Sequence, residues 1–85
     1  MKGSKEVFAM NYRKVVLDKE ATSIKLRSFR INANLTYEGL AALLQLNTPR
    51  VIYDWECAKK MPNIVNLYNL ALIFNMKMED LLVKR

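Results

Sequence analysis

Apolar residues recur at helical spacing in successive segments of this chain, and short polar turns separate the segments. Asp18 is a helix-start residue type, and the stripe after it predicts a helix ending near Ala33. Thr36 starts a second segment. Thr48-Pro49 starts a third, because proline lacks the N–H that a first helical turn leaves unpaired. The predicted core-facing residues are Thr22, Leu26, Phe29 and Ala33, then Leu40, Ala41, Leu43 and Leu44, then Ile52 and Trp55.

Two more helices are predicted after residue 60, which makes the chain an all-α domain of five helices over residues 18–85. Asn63 starts the fourth, and Met78 to Val83 forms a short fifth that closes the domain. Residues 1–17 are predicted to be an N-terminal arm, disordered at its tip and then extended. The core faces of these two helices are Ile64, Leu67, Leu70, Ala71 and Phe74 in the fourth and Leu81 and Leu82 in the fifth.

The second and third helices, joined by a tight turn, are typical of a helix-turn-helix. With Ile52 and Trp55 turned inward, the opposite edge of the third helix faces outward. In a helix-turn-helix this edge lies in the DNA major groove. The predicted outward residues are Pro49, Arg50, Tyr53 and Asp54.

From near Ala21 to Val83 the chain resembles the phage repressor and Cro-like (XRE-type) helix-turn-helix family. The resemblance implies a lambda-repressor-like domain that binds double-stranded DNA, as a transcriptional regulator and repressor, and as a dimer on a two-fold-related site. The residues that carry it are Leu26, Phe29, Arg30, Leu35, Thr36, Leu40, Ala41, Leu44, Leu46, Ile52, Trp55, Glu56, Lys59, Pro62, Leu67, Leu70, Ala71, Phe74, Met76, Leu81 and Leu82.

The same resemblance implies an ion pair between Arg30 and Glu56, with two exposed charges as the simpler alternative. The chain departs from the family at three positions where glycine is usual. Asn34 and Asn75 end two of the helices, and Ala58 follows the third helix. Alanine adopts a left-handed conformation at a cost of about 1–2 kcal/mol, so either that turn differs or Ala58 is strained. Gly39 replaces a carboxylate that would complete a capping box.

The candidate DNA contacts fall into two groups. For base readout, Arg50 can donate two hydrogen bonds to guanine and Tyr53 can meet a thymine methyl group. Asp54 can accept from cytosine, or it can pair with Arg50 four residues earlier. The base-readout candidates are Arg50, Tyr53, Asp54 and Pro49, and the candidates for contact with the DNA backbone are Tyr37, Asn47, Thr48, Lys59 and Lys60.

Composition narrows the function classes. The 85 residues carry a net charge of +6, which favours an anionic partner, yet residues 34–58 hold one basic and three acidic residues. A protein-interaction module on the same fold, antitoxin-like or a mobile-element accessory factor with weak DNA binding, therefore stays open. One cysteine and no histidine exclude a Cys/His zinc site and predict a cytoplasmic protein. No enzyme signature, cofactor motif, small-molecule site or membrane span is evident.

Apolar residues also occupy positions where polar ones are expected. Ile24 and Ile31 lie seven residues apart in the first helix, and Val65 and Leu72 do so in the fourth. Apolar stripes seldom stay exposed without purpose. We expect the arm to cover the first stripe and a second copy of the chain to cover the second, with scattered surface apolar residues as the alternative.

Overall fold

A computed structural model describes residues 12–85, which form four α-helices and one short 3-10 helix. The predicted all-helical class is confirmed. The predicted fifth α-helix is instead a four-residue 3-10 helix, because Leu82 adopts an extended conformation that ends it. The helices are α1 (Lys19–Asn32), α2 (Tyr37–Leu43), α3 (Arg50–Glu56) and α4 (Ile64–Ile73), followed by the 3-10 helix (Met78–Leu81).

Side chains cap the helix starts at the predicted residues. The Asp18 carboxylate accepts from the Ala21 N–H at 3.0 Å. The Thr36 hydroxyl accepts from the Gly39 N–H at 2.9 Å, and the Asn63 side-chain oxygen accepts from the Asn66 N–H at 2.8 Å. Each cap satisfies a backbone donor that the first helical turn leaves free. Before α3, the Thr48 hydroxyl accepts from the Arg50 N–H at 3.3 Å.

All four α-helices end in the same motif. After α3, the Ala58 N–H donates to the Trp55 carbonyl at 3.3 Å, and the Lys59 N–H donates to the Asp54 carbonyl at 3.0 Å. This pair of bonds is the Schellman motif, which requires a left-handed residue after the helix. None of the four left-handed residues is glycine: they are Asn34, Gln45, Ala58 and Asn75, with φ between 56° and 60°.

Ala58 therefore bears the strain that its sequence position suggested. Replacing Ala58 with glycine is expected to raise the free energy of unfolding by about 0.5–1 kcal/mol, since relief of about 1–2 kcal/mol is partly offset by the freer unfolded chain. Urea denaturation followed by circular dichroism measures it. Ala42→Gly is the matched control, because Ala42 lies exposed within α2 and should lose about 0.5–1 kcal/mol. Equal losses in both variants would contradict strain at Ala58.

The core is built from all four helices and the 3-10 helix, but three residues predicted to face it are exposed. Leu43 is 57% exposed, because it points about 110° away from the direction shared by Leu40, Ala41 and Leu44. Ala33 lies beyond the last residue of α1, and Ile64 lies at the first residue of α4. The buried apolar residues are Leu26, Leu40, Ala41, Ile52, Trp55, Leu70, Ala71 and Leu81.

The chain entering α1 pairs with the C-terminal segment. The Asp18 N–H donates to the Val83 carbonyl and the Arg85 N–H donates to the Val16 carbonyl, both at 2.8 Å. These bonds flank an antiparallel bridge between Leu17 and Lys84. Residues 1–11, most of the predicted arm, lie outside the described residues. The described part of the arm lies against residues 83–85 and leaves Ile24 and Ile31 exposed.

Candidate nucleic-acid interface

Helix α3 is fixed from its inner side. It packs against both α1 and α2. Ile52 is 1% exposed and Trp55 is 4% exposed, so the predicted inward edge of this helix is confirmed. Because two large side chains three residues apart are locked in the core, the rotation of α3 about its own axis is set by packing. The opposite edge of α3 is thereby turned outward.

An ion pair between α1 and the end of α3 fixes the helix a second time. The Arg30 Nε donates to Glu56 Oε2 at 2.7 Å and Arg30 Nη2 donates to Glu56 Oε1 at 3.1 Å. The two side chains are only 10% and 4% exposed. Arg30 Nη1 donates to the Leu35 carbonyl at 2.8 Å, and the hydrogen bond to Glu56 raises the pKa of Arg30. The arrangement is a bidentate, partly buried pair rather than two exposed charges.

The outward edge of α3 presents Arg50 and Tyr53 most openly. The Arg50 side chain is 62% exposed, and Tyr53 is also exposed. Pro49 is half-buried, and the Asp54 side chain is only 15% exposed. Of the four residues predicted on this edge, two are thus exposed and two are partly covered.

Asp54 and Tyr53 both contact Arg50. The Arg50 Nε donates to Asp54 Oδ1 at 3.1 Å, which is the pairing weighed from sequence as the alternative to a base contact. The Arg50 guanidinium carbon lies 4.9 Å from the centroid of the Tyr53 ring. Hydrogen bonding to Cys57 raises the pKa of the Tyr53 phenol. Like any tyrosine, Tyr53 is neutral near pH 7 and does not repel phosphate.

Tyr37, at the first residue of α2, joins these two sets of contacts. Its ring lies 4.3 Å from the Arg30 guanidinium carbon. The same ring meets the Tyr53 ring edge to face, with centroids 6.2 Å apart at an interplanar angle of 86°. No sequence pattern predicts this contact, because the two tyrosines are sixteen residues apart on different helices. It follows from the helix crossing alone.

Four of the five candidates for contact with the DNA backbone lie at the two ends of α3. Asn47 and Thr48 are exposed before it, and Lys59 and Lys60 are exposed after it. The acidic balance of residues 34–58 is weaker at the surface than the sequence suggests, because Glu56 and Asp54 are each paired with an arginine. Within residues 12–85, no group of three or more side chains is arranged to hold a metal ion, and no helix is long and apolar enough to cross a bilayer.

The fold of this chain is similar to that of solved structures, among them a controller protein and a gene regulator. The restriction-modification controller protein C.AhdI from Aeromonas hydrophila has 25% sequence identity and a TM-score of 0.68, covering 75% of this chain and 96% of its own. The clp gene regulator ClgR from C. glutamicum has 24% identity and a TM-score of 0.64, covering 74% of this chain and 80% of its own. The chain has the XRE-type helix-turn-helix fold. No protein-family model and no curated protein matches the sequence.

The XRE-type fold assigns a place to each part of the candidate interface. Helices α2 and α3 are the helix-turn-helix, and the turn between them closes through the left-handed Gln45, which the sequence did not single out. Arg30 and Glu56 hold the C-terminal end of α3, while Arg50 lies at its N-terminal end. The C-terminal end of α3 is thus anchored to α1, and the N-terminal end carries Arg50, the arginine of the outward edge.

Proposed function

We propose that this chain is a sequence-specific DNA-binding transcriptional regulator that places α3 in the major groove. The observation that carries the proposal is the exposed Arg50 guanidinium on the outward edge of a helix whose inner edge is locked by Ile52 and Trp55. A regulator's role is consistent with the two neighbours, one described as a controller protein and the other as a gene regulator. Occupying a promoter site is enough to block transcription, so repression is the expected mode.

Base readout is assigned to the outward edge. Arg50 would donate to guanine, and the neutral Tyr53 ring would meet a thymine methyl group. Pro49 and Asp54 flank these two side chains and would contact bases at the margin of the same site. Arg50 ranks first among the four residues, because its guanidinium is the most exposed charged group on this edge.

Backbone contacts are assigned to residues around α3, all of them exposed except the half-buried Tyr37. Lys59 and Lys60 would pair with phosphates on one side, and Asn47, Thr48 and the Tyr37 hydroxyl would hydrogen-bond to phosphates on the other. Such contacts position a protein on the duplex without reading its sequence. They also make affinity fall with salt, because each neutralised phosphate releases counterions.

Single substitutions separate these two roles. With the preferred duplex taken from a random pool, Arg50→Ala is expected to cost about 1–3 kcal/mol on that duplex and little on unrelated duplexes. Lys59→Ala should weaken binding on every duplex and reduce the slope of log affinity against log salt by about one. Fluorescence anisotropy titrations at several salt concentrations measure both. Equal losses from Arg50→Ala on all duplexes would contradict base readout.

Binding as a dimer is assigned to the exposed apolar face of α4. Ile64, Val65, Tyr68 and Leu72 are all exposed and follow helical spacing along this helix. A contiguous apolar stripe of this kind is typical of a protein interface. A two-fold dimer would present two copies of α3 to two half-sites, which is how helix-turn-helix dimers recognise their operators.

Sedimentation velocity at high micromolar concentration tests the dimer. Leu72→Glu is expected to convert the dimer to a monomer, because a charge would be buried in an apolar interface. Ile24→Glu is the matched control, since Ile24 is an equally exposed apolar residue on α1, and it should leave the dimer intact. A wild-type chain that sediments only as a monomer would overturn this assignment.

The second candidate function is a protein-interaction module. Glu38 favours it, because it is an exposed carboxylate on α2, the first helix of the helix-turn-helix, and an exposed carboxylate repels phosphate. The pairing of Asp54 and Glu56 with arginines favours DNA instead. Affinity that falls steeply with salt, together with preference for one sequence, indicates the regulator. Absence of binding to any duplex at low salt, with a protein partner recovered instead, indicates the module.

A further inference from the structure

Two aromatic rings lie between two arginines and connect the buried ion pair to the outward edge of α3, which is the proposed reading edge. The line of contacts runs from Arg30, paired with Glu56, to the ring of Tyr37 at 4.3 Å, then to the ring of Tyr53 at 6.2 Å, and then to Arg50 at 4.9 Å. Each contact has a favourable geometry, since guanidinium groups lie over ring faces and the two rings meet edge to face. The exposed end of the line is therefore tied to its buried end.

The contacts leave the functional end of Arg50 free. Asp54 takes only the Nε–H of the guanidinium, and the Tyr53 ring supports one face. Within residues 12–85, neither Nη1 nor Nη2 of Arg50 has a hydrogen-bond partner. A bidentate contact with guanine uses two parallel donors of a planar guanidinium, and the Nη end supplies them without breaking the bond to Asp54.

We propose that Tyr37 is a positioning residue for sequence readout: it orients Tyr53, and Tyr53 together with Asp54 orients the Arg50 guanidinium for a bidentate contact with guanine. The inference rests on the proposed function, because Arg50 must read a base for its orientation to matter. A long side chain that is ordered before binding loses less conformational freedom on binding. Tyr37 thus acts through its ring, beyond any hydrogen bond from its hydroxyl to phosphate.

The experiment compares a preferred duplex with the same duplex in which the guanine read by Arg50 is replaced. Tyr37→Leu should reduce the preference between the two by about three- to tenfold, the range expected for one aromatic pair. Tyr37→Phe keeps the ring and removes the hydroxyl, so it should weaken binding to both duplexes equally and leave the ratio of the two affinities unchanged. Tyr53→Leu, at an exposed position, should reduce the preference by a similar factor.

The double variant Tyr37→Leu/Tyr53→Leu tests whether the two rings act as one unit. It should lose no more preference than either single variant, because removing one ring already breaks the line. Independent, multiplying losses overturn the inference. A uniform loss on all duplexes, equal in Tyr37→Phe and Tyr37→Leu, also overturns it, because the hydroxyl alone would then be at work.

A measurement without DNA separates this inference from the proposed function. In nuclear magnetic resonance spectra of the free protein, Tyr37→Leu should shift the Arg50 Nε–H signal and average the Tyr53 side-chain rotamers, while Tyr37→Phe should change neither. If the wild-type chain binds no duplex, the proposed function fails and these spectra still decide whether Tyr37 orients Arg50. Unchanged Arg50 and Tyr53 signals in Tyr37→Leu overturn the positioning role.

Discussion

Replacing Glu56 with alanine is expected to lower the free energy of unfolding by about 3–5 kcal/mol, because Arg30 would be left as an uncompensated charge in a mostly buried position. The contacts and burial of the ion pair favour the upper half of this range. Both oxygens of Glu56 accept from Arg30, and the two side chains are 10% and 4% exposed. Urea denaturation at low temperature measures the loss, since a small domain has only about 5–10 kcal/mol to lose.

The chain supplies its own control for this prediction. Asp54 and Arg50 form a second arginine–carboxylate pair, but the Arg50 side chain is 62% exposed and the pair lies within a single helix. Asp54→Ala should therefore cost no more than about 0.5–1 kcal/mol through the pair. Comparable losses from Glu56→Ala and Asp54→Ala would contradict a buried pair.

A paired replacement isolates the cause of the loss. Arg30→Met combined with Glu56→Leu removes both charges and keeps apolar volume, so the double variant should be more stable than Glu56→Ala. Recovery of stability in the double variant would show that the loss in Glu56→Ala comes from the unpaired Arg30 guanidinium. If the double variant is as unstable as the single one, the hydrogen bond from Arg30 to the Leu35 carbonyl carries more of the stability than the ion pair does.

Helix starts were predictable from the sequence because they depend on local chemistry. Asp18, Thr36 and Asn63 each cap a helix through their own side chain, and such bonds span three residues. Helix ends were partly predictable, since asparagine at positions 34 and 75 tolerates a left-handed backbone. The left-handed conformation of Gln45 was not predictable, because glutamine has no such preference. Its left-handed conformation accompanies the Schellman hydrogen bonds that end α2, from the Gln45 N–H to the Ala42 carbonyl and from the Leu46 N–H to the Ala41 carbonyl.

The candidate site likewise has features that the sequence predicts and contacts that it does not. The outward orientation of Arg50 follows from the inward positions of Ile52 and Trp55, which helical periodicity places correctly. The partners of Arg50 do not follow from periodicity. Asp54 was one of two open alternatives, and the contact of Tyr37 with Tyr53 joins two helices whose crossing the sequence leaves undetermined. Periodicity gives the direction of a side chain, whereas packing between helices gives its neighbours.

Ile52→Ala is expected to lower the free energy of unfolding by about 2–5 kcal/mol, the usual cost of truncating a fully buried aliphatic side chain. Ile52 is 1% exposed and lies where α3 packs against α1 and α2. The cavity left by the substitution would lie beneath the reading edge. The proposed sequence-specific DNA binding should therefore weaken at temperatures where the domain is still folded, because α3 would lose the contact that sets its rotation.

Leu43→Ala is the matched control, because leucine and isoleucine are isomers and lose the same atoms on truncation to alanine. The apolar spacing of α2 predicted that Leu43 faces the core, as Ile52 does, yet Leu43 is 57% exposed. Its truncation should cost within about 0.5 kcal/mol. Thermal and urea unfolding under the same conditions should therefore show a several-fold larger loss of stability for Ile52→Ala than for Leu43→Ala. Equal losses would mean that α2 is rotated to bury Leu43, and the turn before Arg50 would then point the reading edge in a different direction.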